Sequence, residues 1–254
     1  MDLDLKNKVA IVVGVGSIGG AIALTLGKEG AKVMAHHYCC DKEAKKVEQA
    51  LVAQGESCIT FKADITKEAQ VDDMFKQAIK TYGKVDILVH AAGAWPTHSV
   101  EEMELKDLES CMAINMNGVF LTNRWLVRHL LERDAQGSIL NFTSQAAFRG
   151  ATTNHAHYAA SKAAVVAFSI SLAREVATKG ILVNCIAPGI AFSEMIIPHQ
   201  GADPQRESYY QSRIPLGRIA DPQEIANIAV FAVSPKNSYM TGATLDLSGG
   251  ILMR

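Results

Sequence analysis

A phenol and an ammonium stand four residues apart in "HYAASKAAVVAFSISLARE" (157–175): Tyr158 and Lys162. The stretch has a strong helical pattern, so the two share one face, about one turn apart. An ammonium beside a phenol stabilises phenolate and lowers its pKa, which lets such a pair trade a proton near neutral pH. Tyrosine and lysine at this spacing are commonly just two surface residues, so their partners carry the weight. Ser144 ends the apolar run "GSILNFTS" (137–144), and Asn115 sits in "INMNGVFL" (114–121). A second set lies in "VVGVGSIGGAIA" (12–23), where Gly14, Gly16 and Gly19 follow a G-x-G-x-x-G spacing. Gly14 can make a sharp turn, Gly16 can let phosphate approach the backbone, and Gly19 permits close helix–strand packing. The helix that follows would offer unpaired N–H groups and a positive dipole end to a pyrophosphate. The alternative is a tight strand-to-helix bend with no ligand.

Elements able to position these residues recur along the chain. "VAIVVG" (9–14), "KVMAHH" (32–37), "SCITFKA" (57–63), "VDILVHAAG" (85–93), "GSILNFTS" (137–144), "ILVNCIAPG" (181–189) and "GATLDLSGG" (242–250) read as buried strands. Helical patterns alternate with them, at 18–30, 41–54, 68–82, 104–131 and 157–175. Alternation of continuous apolar strands with helices predicts an α/β fold: a Rossmann-type doubly wound sheet of about seven parallel strands, helices on both faces. No repeat, low-complexity tract or linker breaks the rhythm, so residues 1–254 are expected to form a single dinucleotide-binding catalytic domain. Five of the seven prolines fall between Pro188 and Pro222, which predicts an irregular segment over a site. Within it, 193–216 reads as a mobile substrate lid whose Met195, Ile196, Ile197 and Tyr209 suit an apolar substrate or serve plain packing.

Bulk properties narrow the function. The 254 residues are 48% hydrophobic with a net charge of −1, which gives no electrostatic reason to expect nucleic acid or an anionic membrane as partner. The five cysteines are scattered without C-x-x-C spacing, against a zinc ribbon or disulfide framework. The acidic start "MDLDLKNK" is unlike a signal peptide, and no apolar run reaches the length of a membrane span. A cytoplasmic protein is expected. The second strand bears on the choice of dinucleotide, because an acid at its end would bind the ribose 2′-hydroxyl of NAD and repel a 2′-phosphate. Here it ends "AHHYCCDK", with His36, His37 and Tyr38 and no acid before Asp41. NADP(H) is therefore favoured and NAD(H) possible, although no arginine is present to clamp a phosphate. His36 and His37 read equally well as an ordinary polar strand end.

Taken together, the chain resembles the short-chain dehydrogenases/reductases, essentially from end to end. "KVAIVVG" is similar to that family's first strand, "ADIT" (63–66) to its adenine-contacting turn, and "VHAAG" (89–93) to its N-N-A-G segment. "INMNGVF" carries the family's asparagine at Asn115, "NFTS" its serine at Ser144, and "YAASK" its Tyr158 and Lys162. "NCIAPGIAFSEM" resembles the segment in which Pro188, Gly189 and Ser193 approach the nicotinamide. "PLGRIADPQEIANIAVF" and "MTGATLDLSGG" are similar to the close of the subgroup that includes 3-oxoacyl-carrier-protein reductases. The resemblance implies hydride transfer between the nicotinamide and a carbonyl or secondary alcohol. It implies catalytic roles for four residues. Ser144 orients the carbonyl oxygen, and Tyr158 donates or removes its proton. Lys162 holds the nicotinamide ribose and lowers the tyrosine's pKa, and Asn115 positions a water that resupplies the proton. It further implies cofactor contacts from Gly14, Gly16, Ser17, Ile18, Gly19, His37, Tyr38, Asp64, Ile65, His90, Ala92, Gly93, Tyr158, Lys162, Pro188, Gly189 and Ser193, and a homotetramer.

Departures from the family pattern sharpen the expectations. Val13 replaces a threonine, the turn Gly14–Ile18 is one residue short, and "GVGS" lacks the basic residue many NADP-dependent members carry. His90 and Ala91 replace both asparagines of N-N-A-G. Losing polar groups on both sides of a buried contact can be nearly neutral, so few unsatisfied groups are expected there. Ser144 and Tyr158 are fourteen apart, one more than usual, and the extra residue should bulge into the loop around "TNHAH". His98, His155, His157 and Trp95 could line the substrate mouth, and no converging set of three metal ligands is apparent. The leading reading is an NADP(H)-dependent carbonyl reductase of a 3-oxoacyl thioester or small ketone. Its rivals are an NAD-dependent sugar, polyol or secondary-alcohol dehydrogenase and a non-catalytic dinucleotide-sensing protein.

Overall fold

The computed structural model describes residues 2–197 and 199–253. Seven strands form one sheet: β1 (Val9–Val13), β2 (Lys32–His37), β3 (Cys58–Lys62), β4 (Ile87–His90), β5 (Gly137–Phe142), β6 (Ile181–Pro188) and β7 (Thr244–Leu247). Their order is β3-β2-β1-β4-β5-β6-β7, and every neighbouring pair runs parallel. Each parallel step needs a crossover, and the helical patterns supply them: α1 (Ser17–Lys28), α2 (Asp41–Val52), α3 (Glu68–Tyr82), α4 (Leu105–Met112), α5 (Gly118–Glu132), a short α6 (Ala146–Arg149), α7 (Ala156–Val176), α8 (Pro204–Gln211) and α9 (Pro222–Val233). The predicted doubly wound α/β fold is the observed one.

Alternation along the strands feeds two apolar layers. Ala10 and Val12 of β1 join Ile22, Leu26, Leu51 and the α9 residues Ile225 and Ala229 on one face. Val9, Ile11 and Val13 join Met74, Phe75, Leu126 and Leu130 on the other. Side chains alternate faces along a strand, so a continuous apolar run is what a sheet covered on both sides requires. α9 starts sharply because Asp221 accepts from the Gln223 N–H, Pro222 occupies its first turn, and Glu224 returns to the Asp221 N–H.

The segment expected as one long helix at 104–131 is interrupted. α4 ends at Met112, a π-helical turn spans Ala113–Asn117, and α5 follows. Such a turn inserts an extra residue and re-aims the side chains it carries, and π turns concentrate at functional sites. Asn115 lies within it. Strand order reverses between β1 and β4, so the carboxyl ends of those strands flank a crevice, the usual ligand position of an open α/β sheet.

Candidate active site

A cleft of about 930 Å³ runs along that crevice. Its floor at one end is the glycine turn. Gly14 has φ +89°, and a Cβ there would lie 2.6 Å from the Ala92 backbone. A Cβ on Gly19 would lie 2.0 Å from the Gly14 carbonyl oxygen, so both glycines serve close packing. Gly16 differs: a Cβ there would meet no protein atom within 4 Å, because it faces the open cleft. Gly16 also caps α1 with no side-chain hydrogen bond, and the first turn carries no acid. The helix therefore presents unspent N–H groups and the positive end of its dipole to the cleft, which fits a dinucleotide pyrophosphate.

The shortened turn is held by a residue the sequence left ambiguous. The Nδ1 of His36 accepts from the Gly14 N–H at 3.2 Å, and its Nε2–H donates to the Ala63 carbonyl at 3.0 Å. Burial drops the imidazole pKa to about 4, so the neutral ring with one donor and one acceptor is the form present at neutral pH. The ring ties the glycine turn to the segment after β3. His36 is thus a structural tie rather than an ordinary strand end.

Beyond it, His37, Tyr38, Cys39 and Cys40 line the cleft where the second strand ends. Asp41 is turned aside to the Lys62 ammonium at 3.2 Å, and no carboxylate from this strand end faces the cleft. Asp64, Ile65 and Thr66 line the opposite wall, with the Asp64 carboxylate accepting from the Thr66 N–H and hydroxyl. Ala92, Gly93, Pro188, Gly189 and Ser193 also line the cleft, as do Ser17 and Ile18.

His90 does not line the cleft. It is fully buried, its Nδ1 lies 2.9 Å from the Thr122 hydroxyl, and its Nε2 has no hydrogen-bond partner. The unpaired Nε2 of His90 counts against the expectation that the exchanged polar groups around β1 and β4 leave few groups unsatisfied. Imidazole brings two ring nitrogens into the site, and only one finds a partner. Burial holds its pKa well below the ordinary histidine range.

At the other end the reactive groups converge. Ser144, Tyr158 and Lys162 all line the cleft. Lys162, buried beneath it, donates to the Phe142 carbonyl at 2.8 Å, and burial lowers its pKa to about 8. Its ammonium lies 6.0 Å from the centre of the Tyr158 ring. The expected lowering of the phenol's pKa is not the net outcome: burial pushes it up, and the Ser144 hydroxyl acts in the opposite sense. Desolvation disfavours phenolate more than the neighbours favour it, so Tyr158 is a neutral proton donor at neutral pH.

Asn115 supports the site from behind. Its Oδ1 accepts from the Ala94 N–H at 2.8 Å, and its Nδ2 donates to the Ala94 carbonyl at 2.9 Å and the Ser161 hydroxyl at 3.0 Å. The amide clamps the Ala94 segment after β4 to α7, and one lone pair of its Oδ1 is left open. In the loop between α6 and α7 Gly150 and Asn154 have φ +78° and +70°, and Ser144 and Tyr158 on either side of it both line the cleft.

The substrate end departs from several expectations. Trp95 lines it, stacked on His155 with ring centres 4.1 Å apart, and His155 is fixed by the Pro96 carbonyl. His98 and His157 pack edge to face behind this wall and do not line the cleft. In 193–216, Met195 and Ile196 face the cleft, while Ile197 packs with Ile214 and Ile219 in a small core of its own. Tyr209 faces outward under the Arg213 guanidinium, and Pro198 lies outside the described residues. Sequence reasoning missed Gln145, whose Oε1 is buried without a partner in the cleft wall, and Arg149, Cys39 and Cys40, which also line it. Only the position of Gln145 next to Ser144 could have flagged it.

A doubly wound sheet, an uncapped glycine turn at its switch point, and a serine–tyrosine–lysine set facing it across one cleft define a nicotinamide-dinucleotide oxidoreductase. Residues 14–252 match the model of a family described as enoyl-(acyl carrier protein) reductase. A short-chain dehydrogenase/reductase from Serratia marcescens is similar at 31% identity and TM-score 0.89, over 97% of this chain and 98% of that one. A dehydrogenase/reductase from Sinorhizobium meliloti is similar at 28% identity and TM-score 0.90, over 100% of this chain and 99% of that one. The chain belongs to the short-chain dehydrogenase/reductase family, and is an NAD(P)-dependent oxidoreductase acting on carbonyl and alcohol groups. Among the described residues no helix is long and apolar enough to cross a membrane.

Proposed function

We propose that the protein is an NADP(H)-dependent reductase of a small ketone or a 3-oxoacyl thioester. The observation that carries the cofactor choice is the cleft wall at the end of β2. His37, Tyr38, Cys39 and Cys40 stand where a carboxylate would repel a 2′-phosphate, and Asp41 is held away by Lys62. The bound nicotinamide supplies the hydride, and Gly16, the α1 N-terminus, Ile65, Gly93 and Lys162 would hold the dinucleotide. The Ser144 hydroxyl orients the substrate oxygen, and the neutral Tyr158 phenol donates its proton as charge develops there. Lys162 fixes a positive charge beside them, and Asn115 keeps the Ala94 wall in place. Trp95, Met195 and Ile196 favour an apolar substrate body.

A panel of ketones, 3-oxoacyl and enoyl thioesters and secondary alcohols, run with both dinucleotides and followed by nicotinamide absorbance, tests this reading. Preferential ketone reduction with NADPH is the expected result. An NADH preference, or reduction of the enoyl thioester alone, would overturn it. Exposed Phe120 on α5 and Ile228 and Phe231 on α9 support a homotetramer in solution, which sedimentation equilibrium would read directly.

A further inference from the structure

Two adjacent thiols stand at the adenosine end of the cleft, and neither the reaction nor the dinucleotide contacts use them. Cys39 is exposed, Cys40 is half-buried, and their sulfurs lie 3.9 Å apart. The other three cysteines, Cys58, Cys111 and Cys185, are buried, and burial pushes the Cys58 thiol up to about 12. Cys40 caps α2, and its carbonyl accepts the first hydrogen bond of that helix from the Ala44 N–H at 3.0 Å. A movement at Cys39–Cys40 is therefore felt both in the first turn of α2 and in the cleft wall.

We propose that Cys39 and Cys40 are a site of reversible two-electron oxidation by low-molecular-weight disulfides, and that closure of this pair and dinucleotide binding oppose each other. The exposed Cys39 gives up its proton and attacks one sulfur of the small disulfide. The disulfide bond breaks, and one thiol leaves with that proton. Cys40 then loses its proton and attacks the Cys39 sulfur, releasing the second small thiol. Two protein thiols are oxidised to one disulfide, and one small disulfide is reduced to two thiols. Burial and the neighbouring Cys39, Glu43 and Asp41 push the Cys40 thiol up to about 11, so its attack on the Cys39 sulfur is the slower of the two steps. Consecutive Cα atoms are about 3.8 Å apart, shorter than the usual span of a disulfide, so the closed ring is strained and easily reduced. That is the behaviour of a labile, regulatory bond rather than a structural one.

The test treats the whole protein with oxidised glutathione, with and without NADP or NAD, and quenches with an alkylating agent. The tryptic peptide Val33–Lys42 contains both cysteines, so closure reads as loss of two hydrogens in that peptide. Dinucleotide affinity of the treated and reduced protein is then measured by calorimetry. The expected results are closure confined to this peptide, an affinity lowered by about tenfold, and protection of the thiols by bound dinucleotide to a matching extent, since linkage is reciprocal. In Cys39→Ser the same treatment leaves affinity unchanged, and Cys40→Ser stops at a glutathione adduct on Cys39 without loss of two hydrogens. In the wild type, a stable glutathione adduct without closure, or a closed form that binds dinucleotide as the reduced form does, would overturn the proposal. Closure is read by mass without dinucleotide present, so its failure is distinct from a failure of the cofactor assignment.

Discussion

Replacing Lys162 by methionine should destroy turnover and yet stabilise the protein without its dinucleotide. Lys162 is 3% exposed, and burial lowers its pKa from 10.5 to about 8. A lowering from 10.5 to about 8 means the charge costs about 3 kcal/mol at pH 7 relative to the unfolded chain. Methionine keeps the length and removes the charge, but forfeits the 2.8 Å bond to the Phe142 carbonyl, which offsets about 1 kcal/mol. The net gain is about 2 kcal/mol, or a Tm higher by about 4–8 °C for a chain of this size. The pH dependence follows in sign. Below pH 8 both folded and unfolded chains hold the proton and the penalty is full. As pH rises from about 8 towards 10.5 the folded wild type releases the proton before the unfolded chain does, so wild type gains stability relative to Lys162→Met. Thermal unfolding of both proteins without dinucleotide, from pH 7 to 10, reads the difference directly. A variant less stable than wild type at pH 7, or an offset that stays constant across this range, would refute the reasoning.

Four further outcomes follow from the same geometry. Tyr158→Phe should lower kcat by about 10²–10⁴-fold while dinucleotide affinity, read by fluorescence titration, is retained; survival of most activity removes the phenol from its role. Gly16→Ala should unfold within about 0.5 kcal/mol of wild type but bind dinucleotide at least about tenfold more weakly, because its Cβ meets only the cleft. Gly14→Ala, at φ +89° and 2.6 Å from Ala92, should instead lose stability by more than about 1 kcal/mol in denaturant titration. His36 and His90 are buried with pKa values lowered by burial, so below about pH 6.5 the unfolded chain takes up protons the folded one refuses, and stability falls with pH. His90→Asn should flatten that slope by about one proton, and an unchanged slope would show that His90 titrates alike in both states.

Strands and helices were legible because their signals are local. A run such as "KVMAHH" alternates across the sheet wherever it lies, and β2 begins and ends at its predicted residues. Tyr158 and Lys162 share a helical face by spacing alone, and the uncapped glycine turn follows from residue types. What the spacing could not express was the consequence of packing. Whether an ammonium lowers a phenol's pKa depends on how much water both lose, and burial reversed the expected direction at Tyr158. The π turn that aims Asn115 at Ala94 interrupts a periodicity that read as one helix. His36 bridges Gly14 and Ala63, His90 keeps one nitrogen unpaired, and the Cys39–Cys40 pair faces the cleft, only because β2, β1 and β4 are neighbours in the sheet. Local geometry thus determined which groups could react. Strand order and desolvation, which join residues distant in the chain, decided which of them meet and in what state of charge.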